Sequence, residues 1–169
     1  AIVTFRLSNG VKLILLFPEK GVCYLIPEGN RAVKSPADFN REFEIKISAT
    51  PVLGPVEHNE QLFQKESARL ALLSHGASRN FRNIWHHYPE SFSEFRRLLR
   101  ETWPGMDINP PEIFQGEKHA ILCMFCHEER FPREIFWAGF GFQVWCQMLT
   151  FILQAKDASL LLVDEPDIY

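Results

Sequence analysis

Two adjacent carboxylates, Asp164 and Glu165, follow four large apolar residues, Leu160, Leu161, Leu162 and Val163, and precede Pro166. An apolar run without polar alternation reads as a central strand of an α/β sheet, covered on both faces. Acids at the carboxyl end of such a strand lie at the crevice where α/β folds bind ligands. There Asp164 can hold the waters around a Mg²⁺ on nucleotide phosphates. Glu165, one residue on, would face the γ-phosphate side and orient or deprotonate an attacking water. The plainer reading is an acidic loop after any core strand.

A second cluster lies upstream. AGFGFQ, residues 138–143, stands directly before the apolar stretch FQVWCQMLTFIL, and Gly141 is 23 residues ahead of Asp164. Glycines that open a helix let backbone N–H groups and the positive end of the helix dipole approach an anion closely. The plainer alternative is a Gly-rich turn opening a core helix.

The elements that must position these residues follow from pattern. Residues 1–52 read as strands and turns, IVTFRL, VKLILLF and VCYLI among them, with Asn9-Gly10 as a tight hairpin signal. FEIKISAT, residues 43–50, alternates strictly and is expected to continue the same antiparallel sheet with one face wet. PVLGPVEHNE separates this region from a helical one over residues 57–102. There Phe92, Phe95, Leu98 and Leu99 recur at helical spacing, Ser91 or Ser93 serves as N-cap, and Pro104-Gly105 is the stop. HAILCMFCHEE reads as one strand. FQVWCQMLTFIL, apolar nearly all round, must be a buried helix.

Other motifs compete for attention. CMFCH matches a haem-attachment pattern and, with His119, invites a zinc reading. In a strand, Cys123 and Cys126 point to opposite faces, so the expectation is a core strand. His86 and His87 diverge by about 100° on a helix, which suits helix-end residues better than a chelate. Gly54-Pro55, before Glu57 and Glu60, is either a nucleotide-sensing loop or a linker turn. Arg79, Asn80, Arg82 and Asn83 read as an exposed helix surface rather than a partner or nucleic-acid site. The cluster Arg96, Arg97 and Arg100 reads as a solvated face, because seven Lys or Arg nearly balance six Glu over residues 57–103.

Composition bounds the whole. With 169 residues, 46% hydrophobic, the chain supports one ordinary core, and a net charge of -3 provides no global basic field for nucleic acid. Four cysteines in apolar surroundings point to a reducing compartment, so a cytoplasmic location is expected. No run reaches a membrane span or has the layout of a signal peptide.

LLLVDEP matches the pattern called Walker B, and with AGFGFQ ahead of it the chain resembles the interior of an ABC-type AAA ATPase of the OLD/SMC-like kind, found in bacterial defence and DNA repair. The resemblance implies an α/β, P-loop NTPase core. Residues 1–56 would form an antiparallel strand subdomain and 57–105 a helical arm. Residues 106–169 would hold the signature motif, core helix and Walker B strand. It further implies ATP sandwiched between two protomers, with Mg²⁺ as cofactor. Asp164 would be the Mg²⁺-side carboxylate and Glu165 the catalytic base. Gly139, Gly141 and the supporting Gln143 would contact the γ-phosphate in trans, and Asp167 would sit in a dimer-contact loop.

Two departures from that pattern stand out. Ala138 takes the place of the usual serine, and no G-x-x-x-x-G-K-[ST] phosphate cradle occurs in these residues. The expectation is therefore an ATPase-core fragment, inactive alone, from a homodimer or higher oligomer that gates an effector such as a nuclease, with DNA as a further partner. The alternative is a non-hydrolysing ATPase-like scaffold that holds a protein partner or DNA.

Overall fold

The computed structural model describes residues 1–6, 10–19, 24–29, 35, 37–38, 41, 46–71, 76–116, 118–129 and 131–163, in two compact units, Ala1–Ile45 and Lys46–Tyr169. In the first, β1 (Ile2–Arg6), β2 (Lys12–Leu16) and β3 (Tyr24–Glu28) form an antiparallel meander. Ala1 and Phe17 close its open end by exchanging two 2.8 Å hydrogen bonds. Arg6 pairs with Lys12, and Gly10, between these paired ends, has a φ of 85°. The hairpin is therefore present; Asn9, and with it the two-residue turn that Asn9-Gly10 suggests, lies outside the described residues.

β4 (Ile47–Thr50) does not continue this sheet. It pairs in parallel with β10 (Leu160–Val163), Thr50 opposite Val163. Alternation along FEIKISAT predicts a half-wet strand but carries no information about its partner, which comes from the other end of the second unit. β10 also departs from the both-faces-covered expectation: Leu160 is 41% and Leu162 50% exposed. Its apolar run reports β propensity at least as much as burial.

The helical region is broken into pieces: α1 (Lys65–Ala71), a 3-10 turn (Ser78–Asn80), α2 (Phe81–His87), a second 3-10 turn (Pro89–Ser91) and α3 (Phe92–Thr102). Pro89 disfavours helical φ/ψ at Tyr88 and so separates α2 from α3. Ser91 occupies the N-cap position of α3 without a side-chain cap bond. Residues 51–64 are not helical, and at 60–62 the backbone is claimed by a strand: Leu122 N–H donates to Glu60 O at 2.8 Å and Leu62 N–H to Ala120 O at 3.0 Å.

HAILCMFCHEE likewise divides in two. β7 (Ala120–Cys123) pairs with β6 (Glu112–Gln115), whereas β8 (Phe125–Glu128) lies between β5 (Met106–Ile108) and β9 (Phe131–Glu134). The break falls at buried Met124, whose N–H donates to Glu134 Oε1 at 3.0 Å instead of to a strand. Against these sheets packs α4 (Phe140–Gln154). Phe142, Cys146 and Leu149 meet Phe81, Trp85, Phe95 and Leu99 from the helices and Ile108, Met124 and Ile135 from the sheet region in one core. Trp85 stacks on Phe95 with centroids 4.7 Å apart and donates to Thr150 Oγ1 at 3.0 Å. Phe140, Gly141 and Ile152 remain exposed, so α4 is buried over most of its circumference and open at its start.

Candidate functional site

The glycine loop is built from behind by carboxylate and amide side chains. Glu134 Oε2 accepts the Phe136 N–H at 2.8 Å and so caps the 3-10 turn Ile135–Trp137. Ala138 N–H donates to Ile135 O at 3.0 Å, and Gly139 becomes the N-cap of α4 with φ -57° and ψ 144°. No side chain caps that end of the helix, and an uncapped first turn presents its N–H groups outward. A Cβ at Gly139 would meet nothing within 4 Å, and one at Gly141 only Cη2 of Trp103, at 3.8 Å. Trp137, 65% exposed, and Phe140, 49% exposed, flank the loop, with His58 packed on Phe136 and edge-on to Trp137.

Gln143 is placed otherwise than its expected contact with phosphate would have it. It is 4% exposed, its Oε1 accepts the Val56 N–H at 3.0 Å, and its Nε2 donates to Phe136 O at 2.9 Å and Ala138 O at 2.8 Å. The amide is committed inside the protein, so Gln143 bears on the loop's shape rather than presenting its own polar atoms outward. One turn further along, Gln147 Nε2 donates to Gly54 O at 2.7 Å. The chain leaving β4 therefore ascends α4, with Gly54 at Gln147 and Val56 at Gln143. This segment, which follows the strand paired with β10, runs along α4 toward the helix N-terminus. Asp164, Glu165 and Asp167 lie outside the described residues.

Sequence reasoning missed a buried ionic hub beside this loop. Arg82 and Asn83, expected on an exposed surface, are fully buried. Arg82 donates to Glu134 Oε1 through Nε at 2.8 Å and Nη2 at 2.7 Å, and through Nη1 to Glu57 O at 2.7 Å and Glu60 Oε2 at 3.1 Å. Glu60 also accepts the backbone N–H of Arg82 at 2.9 Å, and that of Asn83 at 2.7 Å with its side-chain amide at 2.8 Å. Burial pushes the Glu60 carboxyl above its ordinary value, and these donors pull it back. A buried charge is tolerated only with such complete pairing. Glu60 and Arg82 are 22 residues apart, on no common period, so only an acid and a base amid apolar residues hinted at the pair.

The remaining candidates resolve similarly. Arg96 and Arg100 both clamp Asp107, with contacts of 2.6–3.0 Å that hold its carboxyl well below the usual range, while Arg97 pairs with Glu101. Exposed Arg79 stands 3.8 Å from Glu57. These arginines are thus matched by acids and do not form a free cationic strip. Cys123 and Cys126 fall on different strands, and burial raises both thiols, Cys126 to about 11, against the thiolate form a metal ligand needs. Among the described residues no group of three or more His, Cys, Asp or Glu converges as a metal site, and no helix is long and apolar enough to cross a membrane. No family model, curated protein or solved structure matches the chain.

Proposed function

We propose that the chain carries part of an ATP-hydrolysing ABC-type core that closes head to tail with a second copy. One observation supports this reading: the segment that leaves β4, the strand paired in parallel with β10, runs along α4 to its uncapped glycine loop, with Gly54 at Gln147 and Val56 at Gln143. A helix N-terminus and an acid-tipped strand at one end suit a phosphate chain with its metal. In this reading Gly139 and Gly141 offer backbone N–H groups to the γ-phosphate held by the partner copy. Asp164 lies on the metal side. Glu165 takes the proton from the attacking water as its oxygen bonds to the γ-phosphorus and the bond to the bridging oxygen breaks. Mg²⁺, when bound, would neutralise charge on the phosphates. Gating of an effector such as a nuclease rests on the family resemblance alone.

The test compares the full-length protein with Glu165→Gln. Loss of phosphate release together with accumulation of an ATP-bound dimer is expected. Equal background release in both proteins, with no ATP-dependent dimer, would sink the enzyme and favour the non-hydrolysing scaffold.

A further inference from the structure

We propose that Gln143 is a positioning residue, a clasp that makes the backbone of the glycine loop follow the segment 50–56 that leaves β4. As a role in the ATP site this rests on the reading above; as a coupling between two segments it does not.

The geometry is that of a bridge with two ends. On one side Gln143 Oε1 accepts from Val56 N–H; on the other Nε2 donates to two carbonyls, Phe136 O and Ala138 O, that bracket Trp137 immediately before Gly139. A planar amide carries these three bonds as one rigid body, so Val56 cannot shift along α4 without drawing on the loop or breaking a buried bond. Leaving a buried donor or acceptor without its partner costs free energy, so the pair moves together more cheaply than apart.

A second observation marks which end is free to move. Thr50 Oγ1 and Gln147 Oε1 are the two buried side-chain atoms without a hydrogen-bond partner among the described residues. Both border the same segment: Thr50 is its first residue, and Gln147 holds Gly54 O. The glycine loop and the Arg82 hub, by contrast, are tied by Glu134 and Gln143 with their bonds made. Where buried side-chain oxygens stand unsatisfied, a displacement can gain hydrogen bonds; where the buried side-chain bonds are made, it can only lose them. Segment 50–56 is therefore the end that moves and the glycine loop the end that follows. Gln147, one turn along the helix, anchors Gly54 and donates to Gln143 O at 3.3 Å but has no bond to residues 136–142.

Backbone hydrogen exchange on the nucleotide-free protein tests the clasp. Gln143→Leu should speed exchange roughly tenfold or more in residues 54–58 and 136–142 together, while the β5–β8–β9 sheet is unchanged. Gln143→Glu separates the two ends. Its ionised carboxylate can accept from Val56 N–H but has no proton for Phe136 O or Ala138 O, so the loop alone should loosen at about pH 8 and tighten again near pH 5 as the buried acid protonates. Glu134 and His58, which adjoin the loop, are present in the native protein as well, so its exchange at the two pH values is the reference. Loosening of only one segment by Gln143→Leu would overturn the clasp, as would a Gln143→Glu loop whose corrected exchange is the same at both pH values. The Glu variant decides alone if the Leu variant fails to fold. Absence of ATP hydrolysis in the Glu165 comparison would leave these outcomes untouched.

Discussion

Neither Gly139 nor Gly141 adopts positive φ, and neither is crowded by its own fold. Among the described residues nothing in the fold requires glycine at either position, so a methyl group tests whether a ligand does. Gly141 lies in the first turn of α4, where alanine is the better helix former, so Gly141→Ala should stabilise the protein by about 0.5–1 kcal/mol. Under the proposed function the same methyl obstructs the γ-phosphate, and ATP hydrolysis should fall while the urea midpoint rises. A variant that is less stable, or equally active, would remove the loop from the site. Residue types alone singled these glycines out as candidates, beside their plainer use as a turn opening a core helix. They did not reveal Arg82 or Gln143, since an arginine or glutamine on a helix is exposed by default and becomes internal only when distant partners, here Glu60, Glu134 and Val56, meet it.

At the scale of elements, α3 and α4 were legible because a 3.6-residue apolar period depends on a residue's own neighbours. The pairing of β4 with β10, the division of HAILCMFCHEE at Met124 and the capture of residues 60–62 by β7 were not, because each is decided by a partner remote in sequence. The join between α3 and β5 illustrates how such a partner acts. Arg96 and Arg100, one helical turn apart, converge on Asp107 beyond the Gly105 turn, whose φ is 91°. Because the folded carboxyl is held below its unfolded value, its contribution is complete above the ordinary carboxylate range and fades as pH falls through the depressed value. Asp107→Asn should therefore cost roughly 1–2 kcal/mol near neutral pH, with a gap to the native protein that narrows below about pH 4. A gap constant over that range, measured by urea denaturation, would show that the clamp is not electrostatic.

For the second unit as a whole, most of the core is assembled from elements close in sequence, with α2, α3, β5, β8 and β9 falling within residues 81–134. The pair β4–β10 is different, because its register joins Thr50 to Val163. Closing so long a loop costs chain entropy before any contact rewards it, so local elements form first. In folding kinetics, Leu161→Ala should mainly speed unfolding, giving a φ-value near 0, whereas Phe95→Ala should slow folding. The opposite ranking would place the parallel pair in the nucleus. The late closure separates two properties usually thought of together. A molecule caught part-way would already own a packed interior and resist proteases there, yet β10 would still be unseated, so under the proposed function protection against digestion and competence for chemistry arrive at different times.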